Sequence, residues 1–110
     1  MSGWIGVVLA AALAHYAGWK GHDSPIGNPI TKMVANVKRW LSKGKKVKIF
    51  TARVDGDTHG KQEKMIKEWC KKHIGQELEG TNVKTRSMYQ LWDDRAVAVQ
   101  KNTGNSLKFP

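Results

Sequence analysis

Trp4-Ile5-Gly6-Val7-Val8-Leu9, running into Ala10-Ala11-Ala12-Leu13-Ala14, is the stretch on which the fold turns. Its first six residues are apolar and β-branched at Ile5, Val7 and Val8, which suits a central strand buried on both faces. The alanines that follow favour helix by propensity, so two local signals conflict at Ala10. As a targeting segment the run is poor. No Lys or Arg precedes Lys20, whereas a signal peptide places positive charge before its apolar stretch. The run is also too short to span a bilayer. Ala10-Ala11-Ala12 could pass for a small-residue cleavage site, but a buried strand entering a turn is the better reading.

Working outward, Gly18 to Asn28 reads as a loop, rich in Gly and containing Asp23 and Pro25. Asn28-Pro29 is a helix start, an N-cap side chain followed by proline at the first helical position. Ile30, Met33, Val34, Val37, Trp40 and Leu41 then recur at helical spacing, and Gly44 closes the helix. Val47, Ile49 and Phe50 form a strand that delivers Thr51 at its end. Asp55-Gly56 marks a turn. Met65, Ile66, Trp69, Cys70 and His73 define the apolar face of a second helix, which stops near Gly75. Short strands are expected near Thr81 to Lys84, at Tyr89 to Asp93 and, as an edge, at Ala96 to Val99. This alternation predicts an α/β domain with a central, mainly parallel sheet covered by helices on both faces. Ligands bind such sheets outside the carboxyl ends of the strands, and Ala10, Thr51, Lys84 and Asp93-Asp94 each follow an expected strand.

With 110 residues the chain is sized for a single domain, 1–110. A formal net charge of +10 favours solubility and attraction to polyanions. The basic residues, however, are spread over both helices (Lys32, Lys38, Arg39, Lys43; Lys61, Lys64, Lys67, Lys71, Lys72) rather than forming one run. Solvated helix faces therefore compete with a surface for phosphate, nucleotide or nucleic acid. No membrane contact is expected, and oligomeric state is left open. Cys70 is the sole cysteine, which excludes an internal disulfide and fits a reducing cytoplasm. It reads as an inert core filler. Cys70 and His73 have helical metal-ligand spacing, but two residues do not make a zinc site. His73 reads as a partly buried residue at a helix end.

A hydroxyl (Thr51), a lysine (Lys84) and two carboxylates (Asp93, Asp94) on one rim form a pattern suited to phosphate or a divalent cation. The segments that carry it, Ile49-Phe50-Thr51-Ala52-Arg53, Thr81-Asn82-Val83-Lys84 and Leu91-Trp92-Asp93-Asp94-Arg95-Ala96-Val97, resemble motifs II, III and IV of small haloacid-dehalogenase-like (HAD) phosphatases. The likeness is to the capless type found in phage and bacterial genomes, and runs from Trp4 to Gly104. It implies a three-layer Rossmann-like domain without a cap. It also implies that Thr51, with Ala52 beside it, and Lys84 cradle a phosphoryl group. Asp93 and Asp94 would ligate Mg²⁺ or be repurposed.

Motif I departs from the family. Where Asp-x-Asp-Gly-Thr-Leu is the pattern, this chain has Val8-Leu9-Ala10-Ala11-Ala12-Leu13. Val8 stands for the aspartate nucleophile, Ala10 for the general acid/base aspartate, Ala11 for the glycine and Ala12 for the threonine. Thr85 stands where an acidic residue often follows the lysine. Without its nucleophile carboxylate the implied Mg²⁺ site is weakened, no cofactor is expected to reside there, and phosphatase turnover by the usual mechanism is excluded. Natural decay does not readily turn four motif positions small and apolar while the other motifs survive, and deliberate inactivation normally needs one substitution; a misaligned resemblance is the remaining alternative to redesign. The leading expectation is redesign into an apolar rim pocket over Val8, Ala10, Ala11 and Ala12 for an uncharged small molecule. Amine chemistry at Lys84, or a general base among Asp93, Asp94, His15 and His22, could then operate. A structural Lys84 paired with Asp93 or Asp94 is the simpler role for that lysine. The alternative is a degenerate HAD pseudoenzyme that binds phosphate, nucleotide or nucleic acid.

Overall fold

A computed structural model describes residues 3–16, 18, 24–57 and 59–107. The elements run β1 (Trp4–Val8), α1 (Thr31–Ser42), β2 (Lys46–Phe50), α2 (Lys61–His73), β3 (Gly80–Thr81) and β4 (Met88–Trp92), with a 3-10 turn at Ala52–Val54. They build a sheet of order β3-β2-β1-β4 in which every pairing is parallel. The β-branched run at the N-terminus thus occupies an inner position, flanked by β2 and β4.

Register assigns the faces. Ile5 pairs with Val47 and Val7 with Ile49, so these four side chains point the same way. With Leu9 they join Val34, Val37 and Trp40 of α1 and Ile66, Trp69 and Cys70 of α2 in one core. Both helices therefore cover the same face. The other face carries Trp4, Gly6 and Val8 opposite Lys46, Lys48 and Phe50. Side chains roof it instead of a helix. Lys48 Nζ sits 4.7 Å from the centre of the Trp4 ring, and Trp4 Nε1 donates to Thr85 Oγ1 at 2.7 Å. A Cβ on Gly6 would stand 3.1 Å from atoms of Trp4, Met88 and Leu91, so the glycine lets those three side chains close over the strand.

This arrangement corrects the three-layer expectation: the described helices make an α/β domain of two layers. The β3–β4 connection is the reason. It has only six residues, 82–87, and holds no helix that could cross the second face.

Other expectations shift by smaller amounts. The first helix starts at Thr31, after an Ile30 cap that makes no side-chain hydrogen bond. Asn28 and Ile30 are engaged elsewhere, through His15 N to Asn28 O at 2.8 Å and Ile30 N to Leu13 O at 2.8 Å. The strand expected at 81–84 shortens to Gly80–Thr81. The edge strand expected at 96–99 reduces to one antiparallel bridge, Val99 to Ser106. Gly44 and Gly75 end the two helices with φ of 76° and 97°, the left-handed position that glycine takes most easily. No helix among the described residues is long and apolar enough to cross a membrane.

Candidate functional site

Pairing of Val8 with Phe50, Val7 with Trp92 and Phe50 with Thr81 sets the rim of the sheet. One residue further along, Thr51 leaves β2 and Asp93 leaves β4, while β3 continues into Asn82-Val83-Lys84. The backbone fixes this level, with Leu9 N donating to Phe50 O at 3.2 Å and Thr51 N to Thr81 O at 2.9 Å. Residues distant in sequence are thereby delivered to one end of the sheet, as the strand order requires.

The turn after β1 is tightly tied. Leu13 N donates to the carbonyls of Val8 and Leu9, both at 3.2 Å, Ala14 N to Leu9 O at 2.9 Å and Ala11 N to Ala14 O at 2.8 Å. Closing it puts Ala11 at φ 67°, the left-handed region where an L side chain crowds the neighbouring carbonyl. This turn resolves the conflict of local signals at Ala10, because capping the strand's carbonyls outweighs the helix preference of four alanines. Val8 and Ala10 are half-buried, Ala11 is exposed and Ala12 is buried. None offers a polar side-chain atom.

Thr51 is buried, and its Oγ1 accepts from Arg53 N at 3.2 Å, capping the 3-10 turn that begins at Ala52. Asp93 Oδ1 accepts from Arg95 N at 3.0 Å in a similar local turn. Lys84 and Asp94 are exposed and Asp93 is half-buried. No ion pair joins Lys84 to either aspartate among the described residues, so the pairing expected for that lysine is not formed. Lys84 also lacks the apolar enclosure that amine nucleophiles need. His15 is exposed, and His22 lies outside the described residues.

Among the described residues no three acidic, His or Cys side chains are grouped for a metal. The Asp93-Asp94 pair, with one oxygen already accepting from an amide, offers carboxylate oxygens of the kind that Mg²⁺ takes alongside water.

Two cavities lie away from this rim. One of about 230 Å³ is lined by Leu41, Lys45, Val47, Leu78 and neighbours. The other, about 300 Å³, lies beside α1 and is lined by Pro29, Thr31, Val34, Ala35, Lys38 and His73. Neither includes Val8, Ala10, Ala11 or Ala12, where the apolar pocket was expected.

Sequence reasoning passed over Arg53 and Gln62. Arg53 Nη1 donates to Gln62 Oε1 at 3.0 Å and Nη2 to Pro25 O at 3.1 Å, tying the rim turn to α2 and to the segment before α1. Burial pulls the guanidinium below its ordinary pKa, with Tyr16 acting in the opposite sense. Gln62 is only 1% exposed, one turn before Ile66 on the same helix face as Trp69 and His73, a spacing that marks it as facing the core. Thr85 also gains a purpose, as the acceptor for Trp4.

His73 stacks on Trp69 with ring centres 4.7 Å apart. Cys70 is fully buried, and burial pushes its thiol up to about 12. Both fit the structural roles expected of them.

Comparison with protein-family models, curated proteins and solved structures finds no match to this chain.

Proposed function

We propose that this chain is a HAD-like scaffold that has lost its aspartate nucleophile, is silent as a phosphatase, and retains part of a phosphate cradle at Thr51 and Lys84. The observation carrying this reading is the conformation of Ala11. It holds a left-handed φ of 67° at the position where the resembled motif has glycine, the residue such a turn selects. The resemblance rests on side-chain types, and a backbone that suits glycine at that place supports it from a different property of the chain. The gathering of Thr51, Asp93 and the 82–84 segment at the rim supports it as well.

Chemistry then follows from what the rim lacks. Valine and alanine supply neither a nucleophile for phosphorus nor a carboxyl to protonate a leaving group. The buried Thr51 hydroxyl, already accepting from Arg53 N, still has a proton to donate to a phosphoryl oxygen, and the exposed Lys84 ammonium could neutralise it. Binding without turnover is the expected outcome.

The test restores what is missing. The native chain should hydrolyse a generic phosphomonoester in Mg²⁺ buffer at background rate. Val8→Asp combined with Ala10→Asp and Ala11→Gly should gain turnover that Asp93→Asn then removes. Turnover by the native chain that depends on Asp93 would overturn the proposal, as would a restored variant that folds and stays at background.

A further inference from the structure

Basic residues that are dispersed along the sequence are gathered by the fold. α1 and α2 cover the same face of the sheet, and each joins neighbouring parallel strands, so they run side by side in one layer with their outer sides to solvent. No acidic residue occurs between Asp23 and Asp55. Lys32, Arg39 and the C-cap Lys43, at i, i+7 and i+11, form an exposed stripe along α1. Lys64 and Lys71, at i and i+7, form a second along α2.

These charges are not compensated within the chain. Arg39 Nη2 donates to Asn36 Oδ1 at 2.8 Å, a neutral partner. Lys32, Lys43, Lys64 and Lys71 form no ion pair among the described residues. Glu63 accepts from Gly80 N at 3.1 Å and lies 3.8 Å from Lys67 Nζ, which leaves Glu68 as the exposed carboxylate of the two helices. Between the helices lies the cavity of about 300 Å³, walled by Thr31, Val34, Ala35 and Lys38 on one side and His73 on the other.

What this layer lacks narrows the partner. Among the described residues, no exposed large hydrophobic side chain lies on α1 or α2, and Trp40 and Trp69 are buried. A membrane surface takes up such apolar side chains, and single-stranded nucleic acid stacks its bases on exposed rings. The phosphates of a duplex need neither. At 1.5 Å per residue the stripe from Lys32 to Lys43 is about 16 Å long, the rise of roughly five base pairs.

We propose that the α1–α2 layer binds the phosphate backbone of duplex nucleic acid, without reading its sequence, through Lys32, Arg39 and Lys43 on one helix and Lys64 and Lys71 on the other. Thr51 and Lys84 take no part, so this inference does not depend on the phosphate-cradle reading.

Fluorescence anisotropy of a labelled DNA duplex of about 20 base pairs, titrated with the native protein at several salt concentrations, tests it. If those cations neutralise about five phosphates, log K falls against log salt with a slope of about −4.5, a loss of roughly 500-fold in affinity between about 50 and 200 mM salt. Lys32→Gln with Arg39→Gln and Lys43→Gln should flatten the slope by about three units, and Lys64→Gln with Lys71→Gln by about two. Arg86→Gln with Arg95→Gln and Lys101→Gln removes as much charge as the α1 variant from exposed positions outside the helices, and should leave the slope within about one unit of native. Glu68→Lys should steepen the slope by about one unit and tighten binding, a gain that misfolding cannot produce. Circular dichroism checks the fold of each variant. No binding of duplex at low salt, a slope unmoved by either helix variant, an equal loss in the charge-matched control, tighter binding of a single strand of the same length, or a Glu68→Lys chain that binds no better would each overturn the proposal.

Discussion

Replacing Ala11 with glycine should stabilise the protein, although glycine ordinarily weakens a chain. Ala11 sits at φ 67°, is exposed, and uses its backbone N–H to bond Ala14 O. An L residue in the left-handed region costs roughly 1–2 kcal/mol, a cost that Ala11→Gly removes. Against it stands the added freedom of glycine in the unfolded chain, about 0.4–1 kcal/mol. Exposure means that no packed methyl is lost, and the Ala11 N–H bond is kept. The balance is a gain of roughly 0.5–1 kcal/mol, or a rise in Tm of about 2–6 °C for a domain of this size. Urea and thermal denaturation followed by circular dichroism measure it. Ala10→Gly is the control. Ala10 is not among the positive-φ residues, so the substitution should lower stability by about 0.4–1 kcal/mol. Asn102→Gly, at φ 66°, should tend in the same direction as Ala11→Gly. If Ala11→Gly is destabilising to the same degree as Ala10→Gly, the turn is not left-handed, and the argument from this loop to the family collapses with it.

Two further outcomes follow from buried groups. The Cys70 thiol is pushed up to about 12 by burial, from an ordinary value of 9.0. Its stabilising contribution is complete below pH 9 and is lost as pH rises towards 12, because only the unfolded chain ionises freely in that window. Urea midpoints across that range should fall less steeply in Cys70→Ala, and a thiol reagent at pH 8 should label the native protein only as fast as it unfolds. At Gly27 an added Cβ would collide with the backbone carbonyl of His15, which no rotamer change relieves. Gly27→Ala should cost about 1–3 kcal/mol, and a denaturation midpoint equal to that of the native chain would refute the close approach.

Much of this fold was legible because its longest elements carry periodic signals. The spacing of Val34, Val37 and Trp40, and of Ile66, Trp69 and Cys70, placed both helices correctly and identified the faces they bury. Alternation at Val47 and Ile49 placed β2. The misses share a cause, since each depends on what a segment meets across space. Asn28-Pro29 carries a helix-start signature, yet its backbone is claimed by Leu13 and His15. Ala96 to Val99 has strand propensity, but its bridge is to Ser106 rather than to the sheet. The missing second helical layer was concealed for a related reason. The strand β1 reads as apolar on both faces, which predicts helices on both sides, whereas Gly6 leaves space for Trp4, Met88 and Leu91 to cover the second face themselves.

At the rim, chain order and strand ends placed Thr51 and Asp93 together. The local turns that occupy their oxygens depend on backbone angles that residue types do not encode. Arg53 lay inside a quoted motif, and its partner Gln62 stands at helical spacing with Ile66, Trp69 and His73, a position that marks it as buried although its polar type does not.

The stacking of Trp40 on Trp92, with ring centres 5.1 Å apart, bears on the order in which the chain assembles. β1, α1, β2, α2 and β3 are consecutive and can dock progressively. β4 must instead return past β2 to reach the far side of β1, bringing Met88 to Trp4. The β1–β4 pairing joins residues far apart in sequence, and contacts of that kind tend to form after local ones. Trp40 belongs to the early part of the chain and Trp92 to the strand that arrives afterwards. Their contact therefore makes indole emission a natural clock for the final step of folding, with no label to be introduced.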